Sequence, residues 1–300
     1  MATTQVHDTD DAPAGPPRRR IPMALVTWAF VLLILVLVVL LLVVKFTRGT
    51  ASVKPPPVAP APAAVVKGAT AVPAAAFDRV GAPQPGEPGE STLSGQPPLV
   101  SGGLPTVVFV GAEFCPYCAA ERWAVVAALG RFGAFGHLGA TSSSADDVFP
   151  ATPTFSFDGT VYRSRYVSFE AVEQYKEAPS AAAPAGFGTL HALSAQQAAL
   201  VRRYDSSPLV PGAEVLPFLD VDNRLVISGA GIGFSPAVLQ GLSMTQVAAD
   251  LSDPSSAVAR AVLGAANRLA AAVCDATGGL PAAVCTSPGV EAGARRLDLP

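Results

Sequence analysis

The chain divides into zones whose apolar residues recur with different periods. From Ile21 to Val44 there is no charged residue and mostly Leu and Val, long enough to cross a bilayer as a helix. A secretory signal fits less well, because such apolar cores run to about 15 residues and no small-x-small cleavage site follows. Further on, Thr106 to Val110 is β-branched or aromatic throughout, which predicts a strand buried on both faces. Behind it Ala119, Trp123, Val126 and Leu129 recur at helical spacing as far as Gly130, with the charged pair Glu121 and Arg122 expected to one side.

The pattern then alternates between periods. Phe135 to Thr141 reads as a second strand, and Thr154–Phe157 and Val161–Val167 as the arms of a hairpin turning at Asp158-Gly159. A short helix is predicted over Phe169–Glu177, and another after Ser194, where Ser194 and Gln197 make a capping box. Strands return in VLPFLDV and LVISGA around the turn Asp222-Asn223, followed by a helix opened by Ser243 and Gln246. Asp253-Pro254 is expected to start a long Ala-rich helix running to about Val273. Gly229, Gly231 and Gly233 lack the spacing of a nucleotide-binding loop.

Composition changes this picture in two places. Met1 to Pro17 is polar and rich in Asp and Pro, and Ala51 to about Pro98 is dominated by Pro, Ala and Gly, a spacer that cannot bury enough surface to fold. The organisation expected is a cytoplasmic tail over 1–20, a transmembrane helix over 21–44, a linker over 45–98 and one folded domain over 99–300. A net charge of −3 argues against a nucleic-acid partner. Arg18, Arg19 and Arg20 cluster before the apolar segment while Lys45, Arg48 and Lys54 are scattered after it, which favours the N-terminus inside the cell. All four cysteines follow the segment, and paired cysteines suit an oxidising compartment, so the domain is placed outside the cytoplasm of a single-pass membrane protein.

The candidate chemistry lies at Cys115 and Cys118, where the strand hands over to the helix. Unpaired N–H groups and the dipole at a helix N-terminus favour a thiolate, the reactive form of cysteine. Cys115 is the expected nucleophile and Cys118, one turn inward, the resolving thiol; two buried structural cysteines or half a zinc site are the alternatives. Near the C-terminus Cys274 and Cys285 flank Gly278-Gly279 and Pro281, a spacing that suits a structural disulfide better than a four-cysteine zinc centre. Three histidines leave little for a metal site, and a lone His137 beside a redox strand is more often structural than a proton carrier. No metal and no cofactor is expected.

At these residues the chain resembles the thioredoxin superfamily, and Pro116-Tyr117 is the dipeptide of glutaredoxins. Over FVGAEFCPYCAAERW and PFLDVDNRLVISGA it is similar to membrane-anchored thioredoxin-like proteins grouped as domain of unknown function 929. The resemblance implies an α/β thioredoxin-like fold with an inserted hairpin and helical region over about 146–211 and a C-terminal helix and tail over 253–300. It also implies a buried acid ahead of the cysteines, but Phe109 holds that position here. It further implies a cis-proline facing the pair, for which Leu216-Pro217 is preferred over Thr152-Pro153 because the latter leaves almost no room for a second helix. The function implied is a thiol:disulfide oxidoreductase acting on exported protein thiols or disulfides and recycled by an unidentified redox partner. The rival is a redox-silent binding or envelope-scaffold module in which the pair is a permanent disulfide.

Overall fold

The computed structural model describes residues 28, 31–40, 58–83, 89–179, 187–207, 209–210 and 215–300. The tail over 1–20 and the arginine cluster fall outside these, as does most of the apolar segment, of which Val31–Leu40 (α1) is an apolar helix. Residues 1–54 and 55–300 form separate compact units, and the second carries all the architecture that follows.

The second unit is mixed α/β, built on a six-stranded sheet. Its middle strand is β3 (Leu104–Gly111). One side of β3 pairs antiparallel with β11 (Phe218–Val221), then β12 (Leu225–Ser228), then β1 (Glu90–Thr92). The other side pairs briefly with β2 (Val100–Ser101) and then, in parallel, with β8 (Ser168–Glu173), whose Ser168 lies opposite Thr106 and Glu173 opposite Gly111. Alternation along β3 serves two cores. Val107 and Phe109 join Leu219, Val221 and Ile227 beneath helices α4 (Pro116–Leu129) and α7 (Ala257–Ala276), whereas Val108 and Val110 join Phe218, Val226 and the helix α5 (Ala195–Tyr204). A strand sandwiched in this way needs apolar residues at every position, which is how it reads.

Several sequence expectations are corrected here. Phe169–Glu177 is no helix but β8, followed by β9 (Tyr175–Pro179) paired with β10 (Phe187–Thr189). Six consecutive pairings with a buried neighbour outweigh a local helical preference, which is a weak prior. The region 146–211 is therefore not wholly an insertion, since it supplies β8 to the central sheet. Phe135–Thr141 is broken into β4 (Gly133–Gly136) and β5 (Gly139–Ser142) by His137, which is exposed at φ 60°. The segments around Asp158-Gly159 do not pair with each other: β6 (Pro153–Ser156) pairs with β5 and β7 (Val161–Ser164) with β4, and the turn is a jog in one long arm. That arm is tied to α4, with the Trp123 indole N–H donating to the Pro153 carbonyl at 2.8 Å and the Thr154 hydroxyl to the Ala119 carbonyl at 2.8 Å.

The expected spacer is also corrected. Ala63–Thr70 (α2) and Ala74–Val80 (α3) are helices, each following a proline, and their Val65 and Phe77 are almost wholly buried in the main core. Alanine supplies helix propensity without side-chain entropy, so a Pro/Ala-rich stretch can fold once two apolar anchors find a surface. Gly231 lies so close to Gly89 that a Cβ there would sit 2.1 Å from the Gly89 carbonyl oxygen, so the β1 end of this segment is held against the sheet.

Short α6 (Met244–Asp250) carries the Ser243/Gln246 capping box, and α5 carries the one at Ser194/Gln197. The Ala-rich helix α7 starts later than expected, capped by Ser256, because Asp253 instead bonds Ser255 in the preceding turn. Among the described residues α7 alone is long and apolar enough to cross a membrane, and it is 83% buried inside the fold. Small α8 (Ala282–Cys285) and α9 (Pro288–Arg296) close the chain over it.

Candidate functional site

The site forms where β3 ends. Gly111 lets the chain turn tightly: a Cβ there would meet the Phe109 ring at 2.5 Å and lie 3.5 Å from the Cys118 sulfur. Cys115 is the N-cap of α4 with extended φ/ψ, and Pro116 takes the first helical position, where its missing N–H costs nothing. The Cys115 sulfur accepts the Cys118 N–H at 3.3 Å, and the Cys118 sulfur accepts the Ala112 N–H at 3.5 Å. Both thiols are free, Cys115 at 7% exposure and Cys118 at 0%.

A hydrogen bond from the Cys118 thiol leads in holding the Cys115 thiol below its ordinary pKa; burial opposes it, and the Cys118 backbone N–H and the Arg122 charge assist. Burial first, then the bond and charge of Cys115, push the Cys118 thiol well above its ordinary value. The two sulfurs are thus separated into a thiolate-prone outer group and a protonated inner one.

Opposite Cys115 stands the backbone at Pro217. The Leu216–Pro217 peptide bond is cis, and the Cys115 thiol lies 3.8 Å from the Leu216 carbonyl oxygen. Thr152 and Pro153 are elsewhere, buried behind α4 where β6 begins, and their peptide bond is not cis. A cleft of about 260 Å³ opens beside Leu216, lined by Val110, Tyr175, Val201, Arg202 and Phe218 among others. Around the pair the aromatic rings are partly exposed: Phe114 stacks on Phe187 at 4.0 Å and Tyr117 meets Phe149 edge-on at 5.8 Å.

Two charged side chains do not lie where the helical spacing put them. Glu121 and Arg122 are both 0% exposed. Arg122 forms a bidentate pair with Glu173 at 2.8 and 2.6 Å and donates to the Ala112 carbonyl at 2.8 Å. Burial opposes its charge, but the attraction of Glu173 outweighs this and holds the guanidinium protonated. Its guanidinium also sits 5.6 Å from the centroid of Phe109, the ring at the position where the resemblance implies an acid. A signal for this burial was present in the sequence: nearly every other residue from Ala119 to Leu129 is apolar, and a helix apolar all round is buried all round. Glu173 gave no such signal, because its placement depends on β8.

Cys274 and Cys285 are joined in a disulfide that ties α7 to α8. Among the described residues no group of His, Cys, Asp and Glu is arranged to hold a metal ion.

Residues 93–275 match the family described as Domain of unknown function (DUF929), and the chain belongs to that family. No curated protein and no solved structure matches the chain.

Proposed function

We propose that this member of the DUF929 family is a membrane-anchored thiol:disulfide oxidoreductase of thioredoxin-like fold, working outside the cytoplasm on exported proteins. The observation that carries the proposal is the Cys115 sulfur at a helix N-terminus, 3.8 Å from the Leu216 carbonyl, with the Cys118 thiol one turn behind it. An extended substrate lying along the Leu216 backbone would present its sulfur to Cys115, and Cys118 would then resolve the mixed disulfide. The strand order supports the fold assignment: parallel β3 and β8 with the cysteine helix between them in sequence, then antiparallel β11 and β12 after a cis-proline. The uncharged run at Ile21–Val44 and the cysteines that follow it support anchoring and an outside location.

A redox-silent binding module is the second reading, supported by the low exposure of Cys115, 7%, which leaves little sulfur open to a partner. The reduction potential of the full chain in detergent, equilibrated against glutathione, separates the two. An exchanging site is expected between roughly −270 and −120 mV, whereas a pair oxidised below about −300 mV would leave only the module. Membrane-impermeant thiol reagent on intact, mildly reduced cells should label Cys115. Labelling only after lysis would reverse the orientation.

A further inference from the structure

Thiol exchange at this pair moves a proton as well as electrons. Cys118 is fully buried and its thiol is the protonated one, so opening or closing a Cys115–Cys118 disulfide requires a proton donor and acceptor inside the protein. Phe109 cannot serve, and His137 is exposed in the break between β4 and β5.

Glu121 has the required properties. It is 0% exposed, and neither carboxylate oxygen has a hydrogen-bond partner. An ionised carboxylate in that position would cost several kcal/mol, so the group rests in its protonated form. Its place in the helix, three residues after Cys118, puts both on one face with Cβ atoms about 5–6 Å apart, and its carboxyl lies close enough to the pair to be influenced by charge on Cys115. Arg122, the other charge on this helix, and several charges on the elements against it are engaged, while Lys67 on α2 is exposed. Arg122 is bonded to Glu173 and Ala112, Arg131 to Asn267 and Ser287, Arg268 to Glu90 and the Ile232 carbonyl, and Glu113 accepts from Ser156.

We propose that Glu121 is the proton carrier of Cys118. When an incoming thiolate attacks the Cys115 sulfur of the oxidised pair, the Cys115–Cys118 bond breaks and its electron pair leaves on Cys118. The Glu121 carboxyl gives that sulfur its proton, leaving a Cys115 mixed disulfide, a Cys118 thiol and a Glu121 carboxylate. In the reverse direction the carboxylate takes the proton, Cys118 attacks Cys115, and the partner departs as a thiolate. Burial first and the Cys115 charge second push the Glu121 carboxyl well above its ordinary pKa, outweighing the opposing Arg122 charge, which keeps the donor loaded and makes its conjugate base strong enough to deprotonate a thiol.

The inference rests on the pair being redox-active, and its test has two arms on the full chain in detergent. In the first, reduced glutathione attacks the oxidised pair in single-turnover measurements. Glu121→Gln should slow opening about 100-fold at neutral pH and lose the alkaline limb of the wild-type pH profile, and Glu121→Asp should restore most of the rate. In the second, the infrared carbonyl band of the protonated carboxyl, identified by its loss in Glu121→Gln, is titrated in the oxidised and the dithiothreitol-reduced protein. Its midpoint should rise on reduction, as the Cys115 thiolate appears. Wild-type rates and pH profile in Glu121→Gln, or a midpoint equal in the two states, would overturn the proposal. If instead neither wild type nor variant reacts with glutathione, the functional reading fails and the proton-carrier role with it, and the infrared arm still reports whether the Glu121 carboxyl senses the charge of the pair.

Discussion

The molecule holds two pairs of cysteines at opposite ends of helices, and the contrast between them teaches what makes a thiol reactive. Cys115 caps the N-terminus of α4, with a buried guanidinium behind it and the Cys118 N–H pointing at its sulfur. Cys274 lies in the last turn of α7, where carbonyl oxygens face outward and the dipole disfavours a thiolate, and it is bonded to Cys285 across a loop containing Gly278 and Gly279. The first environment favours charge on sulfur; the second favours a sulfur that has none. Placement relative to a helix end therefore separates a candidate reaction centre from a staple made of the same atoms.

The largest effect expected from breaking this contrast is all-or-none. Cys118→Ala should accumulate mixed disulfides with exported proteins, because attack proceeds and resolution does not, while Cys115→Ala should accumulate none. Variants of Cys274 or Cys285 should leave the Cys118→Ala adducts unchanged. Non-reducing gels with mass spectrometry of the adducts check this, and equal trapping by Cys115→Ala would end the assignment of the nucleophile.

Next comes the charge beneath the first pair. Arg122→Met strands Glu173, which is almost wholly buried, and should cost about 3–5 kcal/mol in denaturant titration. Adding Glu173→Met should recover much of that loss, because the cost lies in the uncompensated charge. A double variant no more stable than the single one would show that the pair holds α4 to β8 in some other way.

The staple should matter somewhat less. Replacing Cys274 and Cys285 with alanine opens a loop of separation 11, for which chain entropy alone predicts about 3 kcal/mol. Stability should fall by that order without any change in the alkylation rate of Cys115. A changed rate would couple the two regions.

The smallest effect is on pH dependence. Alkylation of Cys115 should have a midpoint below the ordinary 9.0, since its thiolate is favoured. A depressed pKa adds stability that is present above 9.0 and lost as pH falls through the depressed value. Cys118, raised above 9.0, acts in the opposite sense: its contribution is present below 9.0 and lost as pH rises through the raised value. Cys118→Ala should therefore flatten the alkaline side of the stability profile measured on the reduced protein and also weaken the Cys115 side, because the Cys118 thiol supplies the leading hydrogen bond to that sulfur.

By itself the sequence determined what depends on neighbours in the chain. The five β-branched or aromatic residues ahead of the cysteines form a strand covered on both faces, Cys115 and Pro116 open a helix, and Ser194 and Ser243 cap two more with Gln197 and Gln246. Each is a matter of period or of a bond spanning a few residues, so local order suffices. Only the tertiary structure decided the rest. Phe169 to Glu173 became a strand because β3 offered a parallel edge from 106 to 111, a partner far away in sequence. The Pro/Ala stretch at 63–80 became two helices because Val65 and Phe77 found a core to enter. Glu121 and Arg122 read as a charged pair to one side of the helix until α7, the long arm of β4 to β7 and α2 closed over α4. Burial belongs to the whole assembly, and burial is what turns a carboxyl group on an ordinary helix into a proton donor beside a thiol.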